Sequence, residues 1–186
     1  MKASAVIFTI ILPLCLLFTG MQTPIPNQIT YDETYLLKWS DFIADPPSYS
    51  SLSAESHTGM SMDMTSEQNK MMFTVISFFK KDGSWVLEKS KSNMKLLKHE
   101  QGHWDLREIH TRLFRKKLAG LKMKLNDIAE ALPDIYNKAV EEAKEEQKKY
   151  DKETRHSLDE LAQNKWNASF AARLKSTAQW KNPKVT

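Results

Sequence analysis

Two kinds of hydrophobic periodicity divide this chain at about Ser92, and that division constrains its fold more than any other feature. Ahead of it, apolar residues alternate or run together as in strands. Behind it they recur every three to four residues almost to the end. Met60, Met62 and Met64 alternate with Ser61 and Asp63, the period of a half-buried strand, and these methionines read as core packing. Met72 to Phe79, rich in β-branched and aromatic side chains, is the strongest strand signal. Asp82-Gly83 supplies a turn, and Trp85-Val86-Leu87 a return strand. Leu37, Trp39 and Phe42 predict a short strand and turn over 36–42, ended by Asp45-Pro46-Pro47. Strands first and helices after give an α+β class.

In the helical part, Ser92 or Asn93 can cap a helix running to about Leu118, with Gly120 near its close. Residues 121–149 predict a second helix, apolar at Leu121, Leu125, Ile128, Leu132, Ile135 and Ala139, which Pro133 should kink or split. Its densely charged second half reads as a solvated face. A last amphipathic helix spans Ser157 to Lys175, with Leu158, Leu161, Trp166, Phe170 and Leu174 on its buried side.

The N-terminus follows another grammar. Met1-Lys2 precedes an apolar run from Ala5 to Phe18, broken only by Thr9 and Pro13. One positive charge before a short apolar core predicts an export signal over residues 1–20. The run is short for a membrane helix, which needs about 20 apolar residues. Phe18 is large for the position two before a cut at Gly20, so a retained N-terminal anchor is the alternative. Residues 21–30 read as a linker, 31–176 as one domain and 177–186 as a tail. The protein is thus expected outside the cytoplasm, periplasmic or secreted. Cys15, the only cysteine, lies in the apolar run. A chain trimmed of its signal has no disulfide and no thiolate, so any metal site must use His, Asp and Glu. The net charge of +4, from 27 basic and 23 acidic residues, is interleaved along the chain, which argues against a nucleic-acid partner. Membrane contact is expected only through an uncleaved N-terminal segment.

The chemistry lies at residues 99–103, H-E-Q-G-H. On a helix, His99 and His103 lie about 40° apart on one face and one turn apart along the axis, so both imidazoles can meet one tetrahedral ion. Glu100 points to the side, where it reaches water rather than the ion. Zinc would lower that water's pKa to roughly 7, and Glu100 would take its proton during attack on a carbonyl. Leu106, His110, Leu113, Phe114 and Leu121 continue the histidine stripe, so the metal face is also the buried face.

A third ligand must come from elsewhere. His110 lies about 10 Å along the same helix from His103, too far to share the ion, and reads as a packed, hydrogen-bonded histidine. His57, in a polar stretch, reads as exposed. Glu141, Glu142 and Glu145 sit on the next helix at workable distances but look solvated. His156, in Y-D-K-E-T-R-H over 150–156, is the preferred ligand, with Asp151 and Glu145 as alternatives.

W-S-D-F (39–42), the strand with S-W-V (84–86), L-L-K-H-E-Q-G-H-W-D (96–105), Y-D-x-x-T-x-H (150–156) and Q-x-x-W (163–166) occur in this order. Together they resemble a family of bacterial secreted, predicted zinc-dependent proteases long catalogued only as a domain of unknown function. The resemblance spans roughly residues 30–176. It implies a zincin-like fold, with a sheet edge beside the metal helix, ligands His99, His103 and His156, and Glu100 as catalytic base. Members of that family usually carry Gly after the last histidine, where this chain has Ser157.

The expected function is therefore zinc-dependent hydrolysis of peptide bonds in a peptide or protein substrate. The substrate would lie extended along the strand near Thr74–Phe79. Tyr150 or a second histidine would stabilise the oxyanion. The alternative is a non-catalytic cell-envelope binding module in which zinc staples the strand region to the helices.

Overall fold

The computed structural model describes residues 27–67, 70–122 and 125–186. The expected signal and residues 21–26 of the expected linker lie outside the described residues. Alternation in the N-terminal half is realised as two long antiparallel strands, β3 (Thr58–Glu67) and β4 (Lys70–Lys80). Phe73, Val75, Ser77 and Phe79 of β4 are buried, and the residues between them are half-buried, so one face of the strand looks into the core. Two short strands share the other side of β4: β1 (Gln28–Thr30) against Phe78–Lys80 and β6 (Lys184–Val185) against Phe73 and Thr74.

These two strands correct the expected domain limits. Residues 28–30 are not linker, and the expected tail returns to the sheet, where Val185 is buried among Phe73, Phe114 and Leu118. They also make β4 an inner strand, so it offers a substrate no free edge near Thr74–Phe79. The expected return strand is corrected as well. Trp85 and Val86 form β5 but pair with β2 (Ala54–Glu55) in a separate two-stranded sheet. The strand expected over 36–42 is instead a 3-10 turn at Trp39–Asp41. The buried Asp41 carboxylate draws the chain round by accepting from Lys38 N–H (2.9 Å) and pairing with Lys81 (3.2 Å).

Three helices are found among the described residues, α1 (Met94–Ala119), α2 (Leu125–Thr154) and α3 (Glu160–Ser176). Asn93 caps α1 by accepting from Leu96 N–H at 3.1 Å. Helix α2 runs through Pro133 without splitting, held on both sides of the proline by Ile128, Leu132 and Ala139 in the core. Helix α3 begins three residues later than expected, at a cap where Asp159 accepts from Ala162 N–H. That shift leaves Leu158 and Leu161 exposed (77% and 76%) rather than buried, while Trp166 and Phe170 are buried as expected. Leu113 is likewise exposed and does not continue the buried stripe. The class is mixed α and β, with a small antiparallel sheet and three helices. None of the described helices is long and apolar enough to cross a membrane.

Helix α1 is the axis of the molecule. Phe114 and Leu118 pack with Val75 and α2, and Leu96, Leu97 and Trp104 with Phe79 and Leu37. Leu106 and Ile109 pack with Tyr150, Trp166 and Phe170. Its residues 96–107 therefore lie between β2 and the junction of α2 and α3, and a cleft of about 700 Å³ opens there.

Candidate metal centre

Because α1 starts at a fixed cap, His99, Glu100 and His103 fall in its second and third turns, facing that cleft. The Nε2 atoms of His99 and His103 are 3.3 Å apart. Asp151, near the end of α2, places Oδ1 at 3.1 Å from His99 Nε2 and 3.0 Å from His103 Nε2. His156, in the turn after α2, adds Nδ1 at 3.3 Å from the same oxygen. His99, Asp151 and His156 offer ligand atoms that all lie within 4.8 Å of one another. His103 adjoins this group through both His99 and Asp151.

Two glutamines decide what the imidazoles present. Gln147 donates from Nε2 to the His103 carbonyl at 2.7 Å, so its Oε1 is the atom on His103 Nδ1. Gln163 donates from Nε2 to the Tyr150 hydroxyl (2.7 Å) and to Asn167 Oδ1 (2.9 Å), leaving Oε1 on His99 Nδ1 at 3.0 Å. An amide oxygen only accepts, so each Nδ1 carries a proton and each ligating role falls to Nε2. Burial works against a charge on His103, but the hydrogen bond to Asp151 and the nearby Glu100 outweigh it and push its pKa up to about 9. Burial also raises Asp151, and bonds from His103 and His99 more than reverse this, holding it well below the usual carboxylate range. Three imidazole nitrogens around one carboxylate oxygen form a donor set that fits a divalent cation.

Glu100 is buried on the cleft wall, and its Oε2 has no hydrogen-bond partner among the described residues. A buried carboxylate oxygen left open beside a set of metal-ligand atoms can take a proton from a molecule bound there. Tyr150 behaves otherwise than expected. Its ring stacks on His99 (4.6 Å, 24°), and its hydroxyl donates to the His99 carbonyl at 3.1 Å. Fully buried, that hydroxyl faces helix α1 and Gln163, not the cleft, so Tyr150 positions His99 and cannot reach an oxyanion. The approach needs Gly102, because a Cβ there would stand 2.3 Å from the Tyr150 hydroxyl oxygen.

Other candidates fall outside the cluster. Glu145 is exposed and pairs with Lys148 at 2.5 Å, and Glu141 and Glu142 are exposed, so the α2 glutamates are not ligands. His110 is bound to Glu146 at 2.6 Å, a packed and hydrogen-bonded histidine as expected. His57 is exposed at the cleft rim. Residues 155–157 all adopt positive φ (51°, 51° and 75°), the left-handed region, and this turn swings His156 back over Asp151. Reading the sequence found neither Gln147 nor Arg107, another cleft residue, since both look like ordinary helix-surface side chains until the neighbouring helices are placed. Gln163 lies in Q-x-x-W (163–166), a spacing that by itself assigns it no role.

No curated protein and no solved structure matches the chain. A family model described as "Bacterial protein of unknown function (DUF922)" matches residues 86–157, a narrower stretch than 30–176 but one that holds both H-E-Q-G-H and Y-D-K-E-T-R-H. Over that stretch, less than half of its 186 residues, the chain is similar to this bacterial family of unknown function.

Proposed function

We propose that this protein is a zinc-dependent metallopeptidase with a zincin-like arrangement, exported by virtue of its N-terminal sequence. One observation carries the reading. Two glutamine amides turn Nε2 of His99 and His103 toward one point, next to a buried Glu100 carboxylate oxygen that has no hydrogen-bond partner among the described residues. His99 and His103 would hold the ion with Asp151 or His156 as the third ligand, and Gln163, Gln147 and Tyr150 would keep the rings in place. Zinc, when bound, supplies Lewis acidity to water and to a substrate carbonyl. Glu100 accepts the proton that water loses as its oxygen attacks the carbonyl carbon. It then returns the proton to the amine that leaves when the C–N bond breaks.

The cleft supports an extended substrate on a strand other than β4. Leu87 N–H donates to the Ser53 carbonyl, so residues 53 and 55 face β5. Antiparallel alternation then turns the N–H and C=O groups of Ala54 and Ser56 the opposite way, and both residues line the cleft. A peptide pairing with that edge would pass across Glu100.

The test is cleavage of an unstructured protein by the full chain loaded with one equivalent of zinc. Glu100→Gln should lower the rate by at least a thousandfold while zinc content stays unchanged. Undiminished cleavage by that variant would remove the assignment. The alternative, a non-catalytic zinc staple, would here join α1 to the end of α2 and the following turn rather than the strand region to the helices, since no ligand atom of the cluster lies on a strand. It predicts a large fall in melting temperature on chelation, with no hydrolysis of any peptide.

A further inference from the structure

Three arginines of α1 are buried, and two of them are accounted for. Arg112 bonds Glu108, Glu33 and the Leu174 carbonyl, and Arg115 bonds Glu108 and the carbonyls of Val75 and Trp180. Arg107 is the third. It is only 9% exposed, its Nε has no hydrogen-bond partner, and its guanidinium pairs with no carboxylate among the described residues. It also lines the cleft, one turn beyond His103. A guanidinium stays charged in proteins, and one whose Nε is buried without a partner carries a desolvation penalty that a counter-ion in the cleft would offset. The cleft wall supplies none. Glu55 bonds the Trp85 indole, and Glu100 and Asp151 belong to the metal centre. Two further cations, Lys144 and Arg155, stand on the same walls.

We propose that Arg107 is a specificity residue that grips a carboxylate of the substrate, so that the cleft selects peptides bearing an acidic group beside the bond to be cleaved. The inference rests on the metallopeptidase reading and deepens it. Four helical residues separate Arg107 from His103, a rise of about 6 Å, and an extended peptide advances about 3.3 Å per residue. The acidic group therefore falls one or two residues from the scissile carbonyl. An arginine suits this task because its planar fork meets a carboxylate with two parallel hydrogen bonds. Two sources share that chemistry, an Asp or Glu side chain and the free C-terminus of a peptide.

Matched quenched peptides decide between them. In one pair, Glu replaces Gln at each position flanking the cleaved bond, with the C-terminus amidated. In the other, only the terminal carboxylate is free or amidated. The zinc-loaded wild type should show at least a tenfold preference in kcat/KM for the acid in one of the two pairs. Arg107→Gln should reduce that preference below threefold, and Arg107→Lys should keep part of it. Cleavage without preference for the acid in either pair overturns the proposal and leaves the peptidase reading standing. Should no peptide be cleaved, the peptidase reading fails, and the subsite is tested in the metal-free protein. The Nε–Hε resonance of Arg107 should shift on titration with the Glu or free-terminus peptide and not with its amide twin. Equal shifts, or none, overturn it.

Discussion

In the C-terminal half of α1, Glu108 stands between Arg112 and Arg115, each 2.9 Å from its Oε1, and Glu33 with backbone carbonyls of β4, α3 and the C-terminal segment accept further guanidinium bonds. One turn or two earlier on the same helix, Glu100 and Arg107 are also buried (3% and 9% exposed), yet among the described residues Arg107 pairs with no carboxylate and Glu100 bonds no guanidinium or ammonium, with only the His103 imidazole near it. Their composition is alike and their burial is alike. The difference is pairing. Charges that answer one another inside the protein hold elements together, here α1 to β4, α3 and the chain end. Charges left without an Arg, Lys or carboxylate partner along a cleft wall are free to meet a group that enters it, as the proposed function and its Arg107 subsite require.

The sharpest way to break this comparison is to exchange the consequences of mutation between the two regions. Glu108→Ala strands two buried guanidinium groups and should lower unfolding free energy by about 3–5 kcal/mol, measured by urea denaturation. Arg107→Met removes a buried charge that has no internal partner and should leave stability unchanged or raise it by about 1 kcal/mol. Comparable losses in both variants would show that Arg107 is structurally paired after all.

A smaller effect comes from another polar contact of this helix. His110 and Arg173 both bind Glu146 and so tie α1, α2 and α3. Burial alone would raise the Glu146 pKa, but the bonds from His110 and Arg173 outweigh it and hold the pKa at about 2. A carboxyl depressed in the folded state stabilises fully above its unfolded pKa, and that contribution is lost as pH falls toward the folded value. Stability should therefore drop by about 2 kcal/mol between pH 4.5 and pH 2 through this group. Glu146→Gln should flatten that limb of a pH series of denaturation curves. An unchanged slope would place the acid sensitivity elsewhere.

Next in size is Tyr150→Phe. The variant loses one bond to the His99 carbonyl and one from Gln163. The expected loss is about 1–2 kcal/mol of stability, with any hydrolytic rate within a few fold of wild type. A hydroxyl that stabilised an oxyanion would instead cost about 100- to 1000-fold in kcat when removed. The two magnitudes do not overlap.

How far the sequence could be read follows the range of the interactions. Period-two alternation in β3 and β4 and the Asn93 cap of α1 are local, and they were legible together with the face shared by His99, Glu100 and His103. The pairing of β5 with β2 was not, because a two-residue strand carries no period and its partner is decided by Val86 and Ala54 meeting in the core. Arg107 and Gln147 were illegible for a related reason. A polar residue on a helix declares no face until the opposing helix covers it. Asp151 stood among the alternatives behind His156, yet its oxygen lies at the centre of the cluster. Spacing alone could not rank a residue inside the last turn of α2 against one in the turn that follows.

That turn supplies the smallest prediction, and it locates strain on the site side of the comparison. Ser157 has φ 75°, where a Cβ crowds the following carbonyl and glycine does not. The resembled family usually has Gly at this place. A left-handed non-glycine residue costs on the order of 1 kcal/mol or more, and the greater freedom of an unfolded glycine takes back about half of what relief would give. Ser157→Gly should thus gain about 0.5–1 kcal/mol, a rise of roughly 1–4 °C in melting temperature for a chain of this size. Ser157→Ala is the control, since it removes the hydroxyl and keeps the Cβ. A gain in Gly but not in Ala assigns the effect to backbone strain, and equal behaviour of the two would assign it to the side chain. Because His156 precedes this residue and reaches Asp151 only through the same turn, divalent-cation affinity measured on the two variants reports whether that strain serves the site.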